Sequence, residues 1–440
     1  MSARWRELFG LLPVSLLVTA GFAAVLIARS NQINKATAMY GLVFLGACVI
    51  AHLFIRARLP NADPYVFPLV AVLAGFGLIE IYRIAPHWAA GQAVYFGVGL
   101  GLFVATILFM RDYRVLERYR YTIAVVGILL LLAPRLPGIG RSTNGAYLAI
   151  GAGPVVFQPG EFAKVAIVVF LASYLSDTRD VLVRGRIPRI SMKHLGPLLV
   201  IWGLAMLMLL IIRDLGTALM FFGAFLALLY VATNRLSLVL PGLGLFVGGA
   251  AFLASHVSHV HDRVQAWLHP LSERLYNKPG GSYQLAQSLF SQADGGLFGK
   301  GFGQALLTQA GPNGHAVPVV PAAHTDLIYS VIVNEVGLFG GVALLLVYLL
   351  VIARGFKTAA LAHDGFSKLL AAGLTAVFAL QVFVIVGGVT DVIPLTGVTL
   401  PFVSYGGSSV VANFVLVALL LIVSDRARRD PLAEPGGLVR

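Results

Sequence analysis

The chain has 440 residues, of which 58% are hydrophobic and 12% charged, with a formal net charge of +13. That is far too apolar for a water-soluble domain of this size and reads as a polytopic membrane protein. The basic balance calls for no nucleic acid, because loops retained beside anionic lipid account for it. Cys48, the single cysteine, excludes an intrachain disulfide.

Apolar runs of about 18 to 20 residues recur along the chain, the length at which an α-helix crosses about 30 Å of hydrocarbon. Barrel strands would instead alternate over about ten residues. In chain order the expected spans are 9 to 28, 38 to 55, 65 to 83, 90 to 110, 121 to 134, 159 to 176, 195 to 212, 215 to 232, 237 to 255, 327 to 353, 366 to 388 and 408 to 424. The first is longer than a usual signal-peptide core and is followed by more spans, so it reads as a helix rather than a cleaved leader. With the N-terminus inside, the inner segments hold 21 of the 32 basic and 10 of the 19 acidic residues, a net of +11 against +2 for the remainder. The positive-inside rule then puts both termini in the cytoplasm. The fold class expected is an all-α polytopic membrane protein of about 12 helices with a large extracytoplasmic loop, 256 to 326.

Three outer stretches are polar or irregular. The first precedes the sixth span and ends in QPGEFAK, residues 158 to 164. Pro159 suits a helix's first turn and Glu161 the positive end of its dipole. Glu161 and Lys164, three apart, share one face. Charge at this depth generally lines a bundle interior or a wet cavity, although a purely structural ion pair is the competing account. For Glu80 with Arg83 the structural pair is the expected reading.

The second stretch is the 256 to 326 loop. Its HVSHVHD segment holds His256, His259 and His261 without the cysteine or HExxH partners of a zinc site, and reads as polar residues at a helix exit. SYQLAQSLFSQ, 282 to 292, puts Leu285, Leu289 and Phe290 on one side, as expected of a short amphipathic helix on the outer membrane surface. GGLFGKGFG, with Lys300, is a candidate phosphate cradle without the strand context of a Walker site. HTDLIYSVIVNEVG places Asp326 where the loop meets a helix, as a cap or as a functional carboxylate. The third stretch, PFVSYGGSS, has paired glycines before a helix and permits close backbone packing or substrate contact.

QPGEFAK, RDLGTA (213 to 218), GGLFGKGFG, PAAHTDLIYSVIVNEVG and PLTGVTLPFVSYGGSS occur in the order found in the SEDS proteins, the RodA and FtsW group of bacterial cell-wall synthases. The chain resembles this family from about residue 65 to 426, and most resembles its actinobacterial RodA branch. The resemblance implies a ten-helix core, residues 59 to 426, preceded by two extra helices, 1 to 58, and followed by a cytoplasmic tail, 427 to 440. It implies a peptidoglycan glycosyltransferase of the plasma membrane that polymerises lipid II on the outer face during elongation. A class B penicillin-binding protein would be its partner.

The family's essential aspartate falls on Asp326, a candidate general base. Its cavity pair falls on Glu161 and Lys164, with His324 and Thr325 as supporting residues. Candidate substrate contacts are Arg141, Asn144, Arg263, Lys300, Ser404, Tyr405, Gly406, Gly407 and Ser408. In this reading Lys164 keeps Glu161 and Asp326 ionised. A divalent cation, Mg²⁺ or Mn²⁺, could assist at the pyrophosphate, though the sequence shows no dedicated site. No organic cofactor is implied. The chain departs from the family in NGAYLAIG (144 to 151), which lacks the usual tryptophan and arginine, at Gly160 and at Ile212-Arg213. The rival readings are a lipid II flippase and a non-catalytic scaffold for the penicillin-binding protein.

Overall fold

The computed structural model describes residues 2–30, 35–110, 112–143, 146–152, 155–184, 215–278, 280–310 and 316–429, with isolated positions 196, 200 and 203. The helices in the first part of the chain are α1 (Ala3–Ser30), α2 (Lys35–Arg58), α3 (Val66–Ile84), α4 (Pro86–Phe109), the single turn α5 (Val115–Arg118), α6 (Arg120–Leu132) and α7 (Pro159–Arg184). There follow α8 (Leu215–Thr233), α9 (Leu236–His256), α10 (Ser258–Leu268), the single turn α11 (Glu273–Tyr276), α12 (Tyr283–Gly295), α13 (Ile328–Leu361), α14 (Gly365–Val389) and α15 (Gly407–Ala427). Eleven of the twelve expected spans coincide with helices, and the expected span 195 to 212 lies almost wholly outside the described residues. Among the described residues nine helices are long and apolar enough to cross a membrane. Helix α6, with 13 residues, reaches only about 20 Å. Helix α7 carries Glu161, Lys164, Asp177, Arg179 and Asp180 along its length.

Helix α15 is buried along nearly its whole length and is the axis of the bundle. Phe414 meets Phe96 and Phe103 of α4 edge-on at centroid distances of 5.7 and 6.2 Å. Small residues let the backbones close in, as membrane helix packing requires. A Cβ on Gly77 of α3 would sit 2.3 Å from the Phe402 carbonyl oxygen. Helices α1 and α2 dock on α3 and α4. Phe44 stacks on Phe96 at 5.2 Å, and Glu7 of α1 pairs with Arg4 and, at 2.8 Å, with His52 of α2. The link between α2 and α3 is bolted to the far end of α15. The Asn61 amide donates to Asp425 at 2.7 Å, the Asp63 amide to Ser424 at 3.0 Å, and Arg428 pairs with Asp63 at 2.7 Å.

The segment before α7 forms a small antiparallel sheet of β1 (Gly140–Thr143), β2 (Ala146–Ala152) and β3 (Val155–Phe157). The 256 to 326 loop is largely ordered into α10, α11, α12 and a hairpin of β4 (Thr308–Ala310) and β5 (Ala316–Pro318). Helix α12 docks on the bundle through its polar side. Leu285 is buried, but Phe290 is exposed, and the docking face is made of small and polar residues. Ser288 bonds Ser330 at 2.6 Å, Gln292 donates to the Val389 carbonyl at 2.7 Å, and Asn334 donates to the Ser291 carbonyl at 2.7 Å. Short polar side chains satisfy one another between helices and draw α12 against α13 and α14. Helix α13 kinks at Gly337, whose φ of 71° brings it against Leu297 and Gly299.

Gly77→Ala should destabilise the protein by about 1–3 kcal/mol through overpacking, read as a lower thermal midpoint in detergent, because its Cβ meets backbone that cannot rotate away. Gly97→Ala, whose Cβ meets nothing within 4 Å, should leave the midpoint unchanged or slightly raised.

Candidate active site

Asp326 ends a turn that two other segments hold in place. The Thr325 amide donates to the Ala322 carbonyl at 3.0 Å, and Ala322 itself has a φ of 52°. Ser404 Oγ donates to the Thr325 carbonyl at 2.7 Å and the Tyr405 amide to the His324 carbonyl at 2.8 Å. The His324 ring stacks on Trp88 of α4 at 6.1 Å, and Trp88 also meets Tyr405 at 4.9 Å. The HTD and SYGG motifs, about 80 residues apart in sequence, are thus one structural unit at the N-terminal end of α13.

The Asp326 carboxylate faces the 395 to 399 segment. Gly397 has a φ of 77°, and a Cβ on it would lie 3.7 Å from Asp326 Oδ2. Burial pushes the Asp326 carboxyl up to about 6, against the opposing pull of the Arg263 guanidinium and a hydrogen bond from Thr325. Arg263, on α10, also donates to the Leu395 carbonyl at 2.6 Å, so the cation facing Asp326 is anchored to the segment that faces it too. Of the two carboxylates expected to be served by Lys164, it pairs with Glu161 and not with Asp326. The charge beside Asp326 belongs to Arg263.

Lys164 is 1% exposed. Its ammonium donates to Glu161 at 2.7 Å, to Gln381 of α14 at 2.6 Å and to Asn413 of α15 at 3.4 Å. Gln381 in turn donates to the Thr399 carbonyl at 3.0 Å. Glu161, Gln158, Thr217, Gly397 and Thr399 line a cavity of about 60 Å³. Gly397 is therefore common to the Glu161 cavity and the Asp326 carboxylate. The hydroxyls of Thr396 and Thr399 are buried without a protein partner among the described residues.

The remaining candidates divide. His324, Thr325, Ser404, Tyr405 and Arg263 converge on Asp326 as described. Gly406 offers its amide to Gln92 at 3.5 Å, Gly407 lets the Tyr95 ring come within 2.5 Å of where a Cβ would stand, and Ser408 accepts from the Gln158 amide at 2.8 Å. Gly406 to Ser408 thereby join α15 to α4 and α7. Arg141 is exposed on β1, while Asn144 lies outside the described residues. The Lys300 ammonium is held by Asp294 at 2.7 Å. The glycine loop around it cradles a carboxylate of the protein instead of a phosphate: the amides of Gly303 and Ala305 donate to Glu335 at 3.0 and 3.2 Å. Glu335 also pairs with Arg83. Glu80 and Arg83 are therefore not the simple pair expected, and the Glu80 carboxylate is buried without a hydrogen-bond partner among the described residues. His256 and His261 each bond a backbone carbonyl at the end of α9.

Sequence reasoning missed Gln381 and Asn413, although single amides inside otherwise apolar helices were the available signal. It also missed Trp88, Gln92, Tyr95 and Gly397. A second, larger cavity of about 780 Å³ adjoins the site through Arg263 and Leu395 and is walled by Trp267, Tyr276, Lys278 and Gln284.

The family model for FtsW, RodA and SpoVE, described as "Cell cycle protein", matches residues 65–429. The chain is 38% identical over 433 residues to the peptidoglycan glycosyltransferase RodA of Mycobacterium tuberculosis, covering 94% of this chain and 89% of that one. Among solved structures it is similar to a chain from work on structural coordination of polymerization and crosslinking by a peptidoglycan synthase complex. That likeness has a TM-score of 0.67 and 27% identity over 84% of this chain and 99% of the other. The rod shape determining protein RodA of Thermus thermophilus matches with a TM-score of 0.59 and 27% identity, over 84% of this chain and 98% of that one. By motif order, fold and sequence the chain belongs to the FtsW, RodA and SpoVE family.

Proposed function

We propose that this chain is a peptidoglycan glycosyltransferase of the RodA type, polymerising lipid II on the outer face of the plasma membrane during elongation. The observation that carries the reading is the placement of the Asp326 carboxyl beside Arg263 and against Gly397, the residue it shares with the Glu161 cavity. In the proposed step the acceptor's 4-hydroxyl attacks the donor's anomeric carbon and gives its proton to Asp326, and undecaprenyl pyrophosphate leaves. A positioned base of this kind contributes roughly 10² to 10⁴ in rate. Arg263 supplies positive charge where the departing pyrophosphate gathers negative charge. The 780 Å³ cavity beside Arg263 has room for a saccharide headgroup. A divalent cation, Mg²⁺ or Mn²⁺, would be held at the pyrophosphate chiefly by the substrate's own phosphates with one or two carboxylates; among the described residues no cluster of three metal-binding side chains offers a separate site.

The positive-inside balance supports cytoplasmic termini and an extracytoplasmic site. The similar chain from a peptidoglycan synthase complex supports a class B penicillin-binding protein as partner. Transport is the weaker reading. A flippase needs polar groups along the whole path, yet between Asn413 and Ser424 of α15 stand ten consecutive apolar residues, all buried except Val415. That is about 15 Å of packed helix without a polar step.

With labelled lipid II and the cognate class B partner, the wild type should yield glycan ladders and Asp326→Asn should slow polymerisation by about 10² or more. Unimpaired ladders from Asp326→Asn would remove the base role, and no ladder from the wild type would favour a scaffold. Lys164→Met should cost about 3–5 kcal/mol, since it leaves buried acceptors without their donor. Adding Glu161→Gln to that variant should recover part of the loss, read as the thermal midpoint in detergent.

A further inference from the structure

At the far end of α15 from Asp326, α2, α4 and α15 enclose a cavity of about 290 Å³. Its polar wall carries three guanidiniums, Arg58, Arg426 and Arg429, and one carboxylate, Asp425. Asp425 is already engaged: it accepts from the Asn61 amide and from Arg429, each at 2.7 Å. Arg426 lies 3.4 Å from Asp112 and its guanidinium stands 5.8 Å from the Tyr113 ring centroid. Arg58 has neither an ion pair nor a hydrogen bond among the described residues. Three cations therefore face two carboxylates, and the charge left over belongs to the arginine on the cavity rim.

The rest of the wall is apolar. Leu59, Ile107 and Ile422 are buried there, and Met110 closes the end of α4. Phe109, next to Met110 in the chain, is 85% exposed and in a bilayer would meet lipid. A polar mouth with an excess cation above an apolar wall, at the membrane boundary of a helix bundle, suits a molecule with an anionic head and a hydrocarbon tail. Basic pockets between helix ends on the cytoplasmic side hold phospholipid headgroups for this reason.

We propose that this cavity is a binding site for the phosphodiester headgroup of an anionic phospholipid. Arg58 and Leu59 precede residues 65–429, the part matched by the family model. The site is therefore completed by the segment that the two N-terminal helices add. A lipid seated here contacts α2, α4 and α15 together and strengthens the docking of that pair on the core. The inference requires only that the chain spans a bilayer, and is independent of the chemistry at Asp326.

The test is native mass spectrometry of the full chain released from detergent, titrated with phosphatidylglycerol, with phosphatidylcholine, or with inorganic phosphate alone. The wild type should retain phosphatidylglycerol in preference to phosphatidylcholine. Arg58→Gln should weaken that retention about fivefold, one interfacial charge's worth, with an unchanged lipid-free thermal midpoint. Arg58→Lys should retain wild-type binding. Equal retention of the two lipids by the wild type, or undiminished phosphatidylglycerol binding by Arg58→Gln, would overturn the proposal. Displacement of phosphatidylglycerol by inorganic phosphate at similar concentration would overturn the lipid as ligand and make a soluble anion the occupant.

Discussion

A lysine ammonium held away from water organises the junction of α7, α14 and α15. Lys164 is 1% exposed, and a charge in that position is tolerable only with its donors filled. Glu161 on its own helix, Gln381 on α14 and Asn413 on α15 fill them, so three helices must keep fixed rotation and depth relative to one another. Gln381 then passes the constraint on by donating to the Thr399 carbonyl. The 395 to 399 segment is thereby held where Gly397 can face Asp326. The influence of Lys164 on Asp326 runs through backbone position, whereas the direct electrostatic partner of Asp326 is Arg263 on the 256 to 326 loop.

That division gives the 256 to 326 loop a definite task. Helix α10 brings Arg263 to the site, and α12 and the glycine loop anchor the rest of the segment to α13. Glu335 is the anchor point: it takes two loop amides on one side and Arg83 of α3 on the other. Gly299, with a φ of 84°, and Gly337 at the kink allow the two backbones to approach closely enough for this. The long loop is thus part of the packed structure, and the HTD turn that presents Asp326 is fixed at both of its ends.

Much of this was legible in the sequence, and the limits have physical causes. Glu161 and Lys164 stand out because charge inside an apolar run is costly and needs a reason. Asp326, Ser404 and Tyr405 follow from motif order, and the structure adds that their backbones are bonded together. The partners of Lys164 were not legible, since helices far apart in sequence supply them and nothing local dictates rotation about a helix axis. Glu80 and Arg83 misled because i,i+3 spacing permits a pair without requiring one, and Glu335 competes for the arginine. The amphipathic pattern of α12 was legible, but not that its polar side docks on α13 and α14, because the partners Ser330, Asn334 and Val389 lie far away in sequence. The phosphate cradle in the glycine loop failed similarly: its amides do hold an anion, but that anion is a side chain of the same protein.

The most direct measurement of the role of Asp326 is the pH dependence of lipid II polymerisation by the wild type and by Arg263→Ala, each assembled with the cognate partner. A base must be ionised, and burial pushes the Asp326 carboxyl up to about 6 against the opposing pull of Arg263. The rate should therefore rise as pH increases through about 6, and the rise should move to higher pH when the Arg263 charge is removed. A profile that is flat from about pH 5 to 8, or a rise that stays in place in Arg263→Ala, would contradict both the role of Asp326 and the electrostatics of its site.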